Sequence, residues 1–187
     1  MADFEVHTVE TAPDAAKPLL EGVEKRLGFI PNLMATMAES PALLEAYTTL
    51  SALMGKTGLS AAEQQVITMT NNRLNGCHYC MAAHTTGAQA AKVPTDVIDS
   101  LRAGTAIADP KLEALRQFAI IVNETRGAPT VGQVNSLIAA GYPKATVFAV
   151  ILGTAFKVLS NYTNNVAQAE VDRAFEQNRW SAVDAVD

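Results

Sequence analysis

Hydrophobic residues recur along most of the chain at the three- and four-residue spacing of amphipathic helices. The period-two alternation typical of strands is nearly absent. The segment from Ser40 to Met54 shows the helical pattern clearly, because a capping serine precedes Pro41 and the apolar positions fall on one face. Those positions are Leu43, Leu44, Tyr47, Leu50 and Met54. We therefore predict an all-α fold.

Start and stop signals place further helices in the first part of the chain. A first helix is predicted to close at Gly28, and Asn32 is placed to cap the helix that follows. Ser60 is a capping residue with Glu63 three positions later, the spacing of a capping box. The box gives Glu63 a structural role.

The remaining helices follow from the same signals. Gly76 is a natural break, and a new helix is predicted from Cys77 to about Ala91. An apolar helix is predicted over 144–167, and the chain is predicted to close with an amphipathic helix over 169–180.

Two segments begin and end with the same residue types. PALLEAYTTLSALMGKTG and PKLEALRQFAIIVNETRG both open with proline and close with glycine at equal length, 69 residues apart. This pattern is compatible with a duplicated helical hairpin. We predict one domain over 1–187, with pseudo-repeat halves of about 17–108 and 109–187.

Composition narrows the class of protein. Of 187 residues, 49% are hydrophobic and only 18% charged, which suits a packed globular chain whose surface is partly covered by other subunits. The formal charge of -5 and the lack of a Lys/Arg run argue against nucleic acid as a partner. The N-terminus lacks the pattern of an export signal, and the longest apolar stretch, 145–156, is short for a span. We expect a cytoplasmic protein with no membrane association.

The chain's two cysteines lie together in the segment NRLNGCHYCMAAHTTG, as Cys77 and Cys80. Three residues apart on a helix, they share one face with His84, which stands one turn beyond Cys80. The helix N-terminus favours the thiolate form of Cys77, and an imidazole at His84 can exchange a proton with a thiol at neutral pH. The pattern therefore predicts a redox site.

Other interpretations of the same residues compete with a redox site. Both cysteines can be core residues, or they can join His84 in a zinc site, although a closed zinc site needs four ligands. A c-type haem attachment needs histidine directly after the second cysteine, where Met81 stands. His78 is expected to be solvated, and the sequence assigns no role to His7. We predict no metal and no cofactor.

The motif Cys-x-x-Cys-x-x-x-His after an Asn-Gly break resembles the alkylhydroperoxidase D-like (AhpD-like), peroxidase-related branch of the carboxymuconolactone decarboxylase superfamily. GFIPNLMATMAESPALLEAY and the block from Phe118 to Asn165 are similar to further segments of that branch. The resemblance implies an AhpD-like helical bundle that assembles into trimers or hexamers. It also implies a thiol peroxidase in which Cys80 becomes a sulfenic acid, Cys77 resolves it as a disulfide, and His84 belongs to the proton relay.

The chain departs from this family at one position. Members with the full relay carry a glutamate twelve residues before the first cysteine, where this chain has Gln65. Glutamine can hold a water or orient an imidazole, but it cannot accept a proton. Glu63 lies about 200° around the helix from that face and does not replace it. Helix-dipole reasoning favours Cys77 as the attacking thiol, whereas the resemblance favours Cys80, which we follow.

These expectations describe an oxidoreductase that reduces small hydroperoxides and is recycled by an external dithiol or disulfide reductant. Two other functions are kept open. One is a lyase like the lactone decarboxylases that share the fold, and the other is a non-enzymatic redox or metal-binding module.

Overall fold

The computed structural model describes residues 4–181, and their regular structure is helical. The helices are α1 (Lys17–Leu27), α2 (Asn32–Met37), α3 (Pro41–Met54), α4 (Ala61–Leu74), α5 (His78–Ala90), α6 (Thr95–Ala103), α7 (Pro110–Glu124), α8 (Val131–Ala139) and α9 (Lys144–Ala167). A short 3₁₀ helix follows over Arg173–Asn178. No strand occurs in the part of the chain that the structure describes, and the all-α prediction is confirmed.

Local capping chemistry sets several helix ends as predicted. Gly28 ends α1 in the left-handed conformation at φ 82°, where a side chain would be strained. Ser60 and Glu63 form the capping box of α4, each side chain bonding to the other residue's backbone N–H. These ends need only residues a few positions apart, which explains why the sequence indicates them.

Two predictions are wrong: Asn32 does not cap α2, and residues 169–180 do not form an amphipathic helix. Both differences follow from contacts between the start of α2 and the segment after α9. Asn32 is the first residue of α2 and donates its side-chain amide to the Glu170 carbonyl at 3.0 Å. The Asp172 carboxylate accepts from the Asn32 backbone N–H at 3.1 Å and so caps the helix from a distant part of the chain. Gln168 ends α9 in a left-handed conformation, and the tethered segment after it forms only the 3₁₀ helix.

Helix α4 lies at the centre of the bundle, in contact with α5, α6, α7 and α9. Helix α9 also packs against α2, α3, α7 and α8. Its approach to α4 is close because Gly153 has no side chain: a Cβ there would lie 2.5 Å from Cγ2 of Ile67. Helices α4, α5 and α9 therefore form a rigid frame, and the candidate site lies inside it.

The buried apolar residues form two clusters on either side of this frame. The larger is built from α4, α6, α7 and α8 with the N-terminal half of α9, around Phe118, Leu115 and Ile67. The second contains residues of α1, α2, α3 and α5 together with Phe156, and it includes both cysteines. Cys77 and Cys80 thus lie in an apolar environment where an unpaired charge is costly.

Helix α9 is long and apolar enough to cross a membrane by length and composition alone. Its interior face is polar, however, because Lys157, Ser160, Asn161 and Asn164 are all completely buried against the neighbouring helices. A helix that buries such a face inside the protein packs as a core helix.

Candidate active site

The turn between α4 and α5 places the two cysteines. Gly76 takes φ 63°, which reverses the chain, and the Cys77 backbone N–H then donates to the Asn72 carbonyl at 2.9 Å. Cys77 becomes the capping residue of α5, and its sulfur accepts from the Cys80 backbone N–H at 3.4 Å. The Asn-Gly break of the sequence thus fixes the positions of both sulfur atoms.

A cavity of about 610 Å³ opens beside α5. Its polar lining includes Cys80, His84, Gln65 and Lys157, whereas Cys77 is fully buried outside the lining. The rest of the wall is mainly apolar or aromatic and includes Leu27, Phe29, Leu33, Met34, Tyr47 and Phe175. Of the two cysteines, Cys80 is therefore the one that a molecule in the cavity can reach.

Both ring nitrogens of His84 are engaged. Nδ1 lies 2.9 Å from Oε1 of Gln65, and Nε2 lies 2.9 Å from Nζ of Lys157. Because the amide oxygen can only accept, Nδ1 carries the ring proton and Nε2 accepts from the ammonium group. Burial, and then the Lys157 charge, hold the pKa of His84 well below its usual value, so the ring is neutral at pH 7.

Lys157 is the residue that the sequence analysis missed. Its side chain is completely buried, and Nζ lies 4.9 Å from the centre of the Phe156 ring. No carboxylate in residues 4–181 forms an ion pair with it. Burial lowers the pKa of this lysine, while the charges of Cys80 and Cys77 act in the opposite direction. A lysine inside an otherwise apolar helical segment was the available sequence signal.

The surroundings of Cys80 favour its thiolate. Burial by itself raises the pKa of this thiol, but a hydrogen bond from Cys77, the Lys157 charge and hydrogen bonds from α9 outweigh it. The α9 donors are Ser160 and Asn161, and the result is a pKa of about 6. Cys80 is therefore mostly ionised at neutral pH.

Cys77 has the opposite shift, which corrects the helix-dipole expectation. Its hydrogen bond to Cys80, followed by burial and the Cys80 charge, raises the pKa of Cys77. The backbone N–H of Cys80 does lower that pKa, as the helix-terminus argument requires, but the other contributions are larger. The more acidic thiol is Cys80, because Lys157 and α9 favour it.

A chain of asparagines, with Asn72 and Asn161 buried and Asn75 partly buried, supports the Cys80 environment. Asn161 donates to Oδ1 of Asn72 at 2.9 Å and accepts from Nδ2 of Asn75 at 2.9 Å. Asn72 in turn donates to the Cys80 carbonyl at 3.1 Å. These bonds fix the amide of Asn161, which also hydrogen-bonds the Cys80 thiolate. The network couples α4, α5 and α9 at the sulfur.

Tyr79, between the two cysteines, attaches the C-terminal segment to the cavity. Its hydroxyl donates to the Asp172 carboxylate and accepts from the Leu33 backbone N–H at 3.2 Å. Its ring meets Phe175 edge-to-face, with 6.1 Å between centroids. These contacts hold the segment after α9 against α5 and place Phe175 in the cavity wall.

The other residues considered in the sequence lie apart from this centre. His78 is exposed, and His7 is buried with Nε2 2.8 Å from the Glu39 carboxylate. Glu63 is occupied by its capping box. Within residues 4–181, no group of three or more His, Cys, Asp or Glu side chains is arranged to hold a metal ion.

Comparison with known proteins confirms the predicted AhpD-like fold and supports the predicted family. Residues 41–121 match the Carboxymuconolactone decarboxylase family. The structure is similar to that of an alkylhydroperoxidase AhpD core protein, an uncharacterized peroxidase-related protein from Ralstonia eutropha JMP134, with 25% identity and a TM-score of 0.81. That match covers 92% of this chain and 93% of the other. No curated protein sequence matches the chain.

Two further structures share the fold at lower identity. An uncharacterized peroxidase-related protein from Silicibacter sp. TM1040 has 18% identity and a TM-score of 0.78, over 93% of this chain and 92% of that one. The debrominase Bmp8 in its apo form has 19% identity and a TM-score of 0.72, over 93% and 92%. The family match and the structure at 25% identity support an enzyme with a peroxidase-like or related function. The family match and the structural similarity support a place for the chain in the superfamily of AhpD-like proteins and carboxymuconolactone decarboxylases.

Proposed function

We propose that the chain is a thiol-dependent peroxidase-type oxidoreductase that reduces hydroperoxides through a Cys77/Cys80 dithiol–disulfide cycle. The observation that carries the proposal is the environment of Cys80. It lines an apolar cavity, its pKa is lowered to about 6, and its thiolate is hydrogen-bonded to the second thiol. A thiolate in reach of a small oxidant, with a resolving thiol beside it, is the arrangement that peroxide reduction requires.

In the proposed cycle, the Cys80 thiolate attacks the terminal oxygen of the hydroperoxide. An S–O bond forms, the O–O bond breaks, and the remaining oxygen leaves as an alcohol once it gains a proton. The Cys77 sulfur then attacks the sulfenic acid and displaces water, which forms the disulfide. An external dithiol reduces the disulfide and returns both thiols.

The shift of the Cys77 pKa fits this order of events. In the reduced protein, the hydrogen bond to Cys80 and the Cys80 charge contribute to the raised pKa of Cys77, so Cys77 stays protonated. Oxidation of Cys80 to a sulfenic acid removes the thiolate and its charge. Cys77 then ionises more readily, at the stage where it is needed as a nucleophile.

Oxidation of reduced single-cysteine variants by cumene hydroperoxide tests the cycle. Wild type should lose two thiols per equivalent of oxidant and form an internal disulfide. Cys77→Ser should lose one thiol and accumulate a sulfenic acid that dimedone traps, whereas Cys80→Ser should retain its thiol. If Cys80→Ser consumes hydroperoxide with dithiol at the wild-type rate, Cys80 is not the attacking residue.

The proposal includes assembly into a homo-oligomer, as a trimer or hexamer. Its support is the outer face of α9, where Phe148 is 71% exposed and Val166 is 67% exposed. Large apolar side chains at such exposure are typical of subunit interfaces. Light scattering during size-exclusion chromatography measures the subunit number.

A lyase is the second candidate, and the match of residues 41–121 to the decarboxylase family favours it. Such a reaction does not need the cysteine pair. Decarboxylation of a muconolactone carboxylate by a Cys77→Ser/Cys80→Ser double variant, together with no peroxide consumption by wild type, would favour the lyase.

A further inference from the structure

We infer that Lys157 is the general acid of the proposed peroxidase reaction and protonates the oxygen that leaves when Cys80 attacks the hydroperoxide. The inference rests on the proposed function and assigns one step within it. Attack on an alkyl hydroperoxide expels an alkoxide, which is a poor leaving group unless a proton reaches it in the transition state.

Lys157 lies where such a proton is needed. It lines the same cavity as Cys80, and its Nζ is held 2.9 Å from Nε2 of His84, which lies one helical turn beyond Cys80. Its charge also lowers the pKa of Cys80. One N–H of the ammonium group donates to His84. The remaining two N–H bonds are available to the sulfur and to a molecule bound against it.

The other hydrogen-bonding groups of the cavity are poor proton donors. The one ring proton of neutral His84 is on Nδ1 and is donated to Gln65. Burial raises the pKa values of Tyr47 and Tyr79, the two tyrosines of the lining. No Asp or Glu is among the lining residues that the structure describes. Lys157 is thus the cationic acid among the lining residues that the structure describes.

The environment of Lys157 also couples the proton transfer to the oxidation. The buried ammonium has the Cys80 thiolate as its counter-charge, and attack on the hydroperoxide consumes that thiolate. A buried cation without a counter-charge is unfavourable in an apolar cavity. Transfer of the proton to the alkoxide leaves a neutral amine, which the cavity accommodates at lower cost.

The step balances without another reactant. The Cys80 thiolate, the hydroperoxide and the Lys157 ammonium give the Cys80 sulfenic acid, an alcohol and the Lys157 amine. Cys77 then displaces water from the sulfenic acid to form the disulfide. When an external dithiol reduces the disulfide, the proton of the new Cys80 thiol passes to the amine and restores the starting ion pair.

Gln65 acquires a role in this scheme. Its amide oxygen holds the proton of His84 on Nδ1, so Nε2 stays an acceptor that orients Lys157. The ring and the glutamine therefore position the acid without taking its proton. The step proceeds without a glutamate at position 65.

Two oxidants with different leaving groups test the assignment. Cumene hydroperoxide releases an alkoxide that needs a proton, whereas peracetic acid releases acetate, which leaves readily as an anion. Single-turnover oxidation of Cys80 is followed by rapid quench and intact-protein mass spectrometry with each oxidant. The ratio of the two rates is independent of the thiolate fraction, because that fraction is the same for both oxidants in one protein at one pH.

For Lys157→Met we expect the cumene-to-peracetic ratio to fall by roughly 10²-fold, the usual contribution of a positioned general acid. Lys157→Arg retains a cation that does not release its proton, and it should show the same fall in the ratio. Lys111→Met, which removes a lysine outside the cavity, should leave the ratio unchanged. If circular dichroism shows that the methionine variant is unfolded, the arginine variant carries the comparison.

Three results would contradict the inference, and each has a different meaning. Equal slowing with both oxidants in both Lys157 variants would show that Lys157 only acidifies Cys80, and would overturn the inference while leaving the proposed function standing. A fall of the ratio in Tyr47→Phe, with no fall in the Lys157 variants, would transfer the role to Tyr47. Failure of wild type to oxidise Cys80 with either oxidant would overturn the proposed function itself, and the inference with it.

Discussion

Nζ of Lys157 and Nε2 of His84 are joined by a 2.9 Å hydrogen bond that connects α9 to α5 across 73 residues of sequence. The bond places a buried cation beside the acidic thiol Cys80. It also leaves the histidine neutral, because Nε2 accepts from the ammonium group, and burial and the Lys157 charge hold the pKa of the ring well below its usual value. The charge that favours the thiolate therefore comes from the lysine rather than from an imidazolium.

Replacing Lys157 by methionine should raise the pKa of Cys80. The thiolate loses its nearest positive charge, and an opposite charge at this range shifts a pKa by roughly 1–3 units. Alkylation of wild type by iodoacetamide should accelerate as pH rises through about 6, because Cys80 is protonated below that value and ionised above it. In Lys157→Met the same inflection should move to higher pH.

Two control variants show that the shift in alkylation rate belongs to Cys80 and to the loss of Lys157. Lys111→Met removes a surface lysine that lies over the Tyr142 ring, and its profile should match wild type. Cys77→Ser confirms that the labelled sulfur is that of Cys80. An inflection that stays near 6 in Lys157→Met would mean that hydrogen bonds alone acidify Cys80.

Replacing Gln65 by glutamate should raise the pKa of His84. A carboxylate at a position now 2.9 Å from Nδ1 stabilises the imidazolium and opposes the effect of the Lys157 charge. We expect a rise of roughly 1–3 units. NMR titration of the His84 ring protons, assigned with His84→Phe, measures it.

Gln65→Leu is the matched control for charge. It removes the amide acceptor without adding a carboxylate, so the pKa of His84 should stay low. A His84 ring in Gln65→Glu that titrates no higher than in Gln65→Leu would contradict the hydrogen bond between residue 65 and the imidazole.

Local signals explain which parts of the structure the sequence predicts well. Gly28 and the Ser60–Glu63 box mark helix ends because their partners lie within four residues. The turn at Gly76 is equally local. The placement of Cys80 and His84 on one cavity wall follows from that turn and the helix period.

Features that depend on distant partners could not be predicted in the same way. Asp172 caps α2 from 140 residues away, so the apparent cap at Asn32 was misleading. The acidity of Cys80 depends on Lys157, which only tertiary packing brings near. Helix-dipole reasoning considers the local field alone, and it therefore selected Cys77. The single domain, its duplication and the cytoplasmic location stay predictions.

The asparagine network should contribute substantially to stability through Asn161. Asn161→Ala leaves the buried Oδ1 of Asn72 and the partly buried Nδ2 of Asn75 without their partner. An unsatisfied buried group costs roughly 1–3 kcal/mol, so the free energy of unfolding should fall by about 2–5 kcal/mol. Urea denaturation followed by circular dichroism measures the loss.

Asn164→Ala provides a comparison one turn away on the same helix. Asn164 is also completely buried, but neither atom of its amide has a hydrogen-bond partner in the described part of the chain. The two substitutions remove the same volume, so the difference between them reports the hydrogen bonds. We expect Asn164→Ala to be clearly less destabilising, and an equal loss in both variants would contradict the importance of the network.

Gly87 lies at the cavity wall and gives a test of the substrate size that the site accepts. It lies on α5 in the cavity lining, and a Cβ at this position meets no atom within 4 Å. Gly87→Leu should therefore fold without a clash and gain up to about 1 kcal/mol of helix propensity. The added side chain narrows the cavity, so kcat/KM for cumene hydroperoxide should fall by about tenfold or more, while hydrogen peroxide should be little affected.

Gly22→Leu separates the steric effect from the gain in helix propensity. Gly22 is an exposed glycine of α1, has no atom within 4 Å of a Cβ, and lies outside the cavity lining. Its leucine variant should gain similar stability and keep both rates, because nothing enters the cavity. Equal slowing of Gly87→Leu with the bulky and the small oxidant would show that the substituted helix disturbs Cys80 itself. A loss confined to the bulky oxidant means that hydroperoxides reach the sulfur past residue 87.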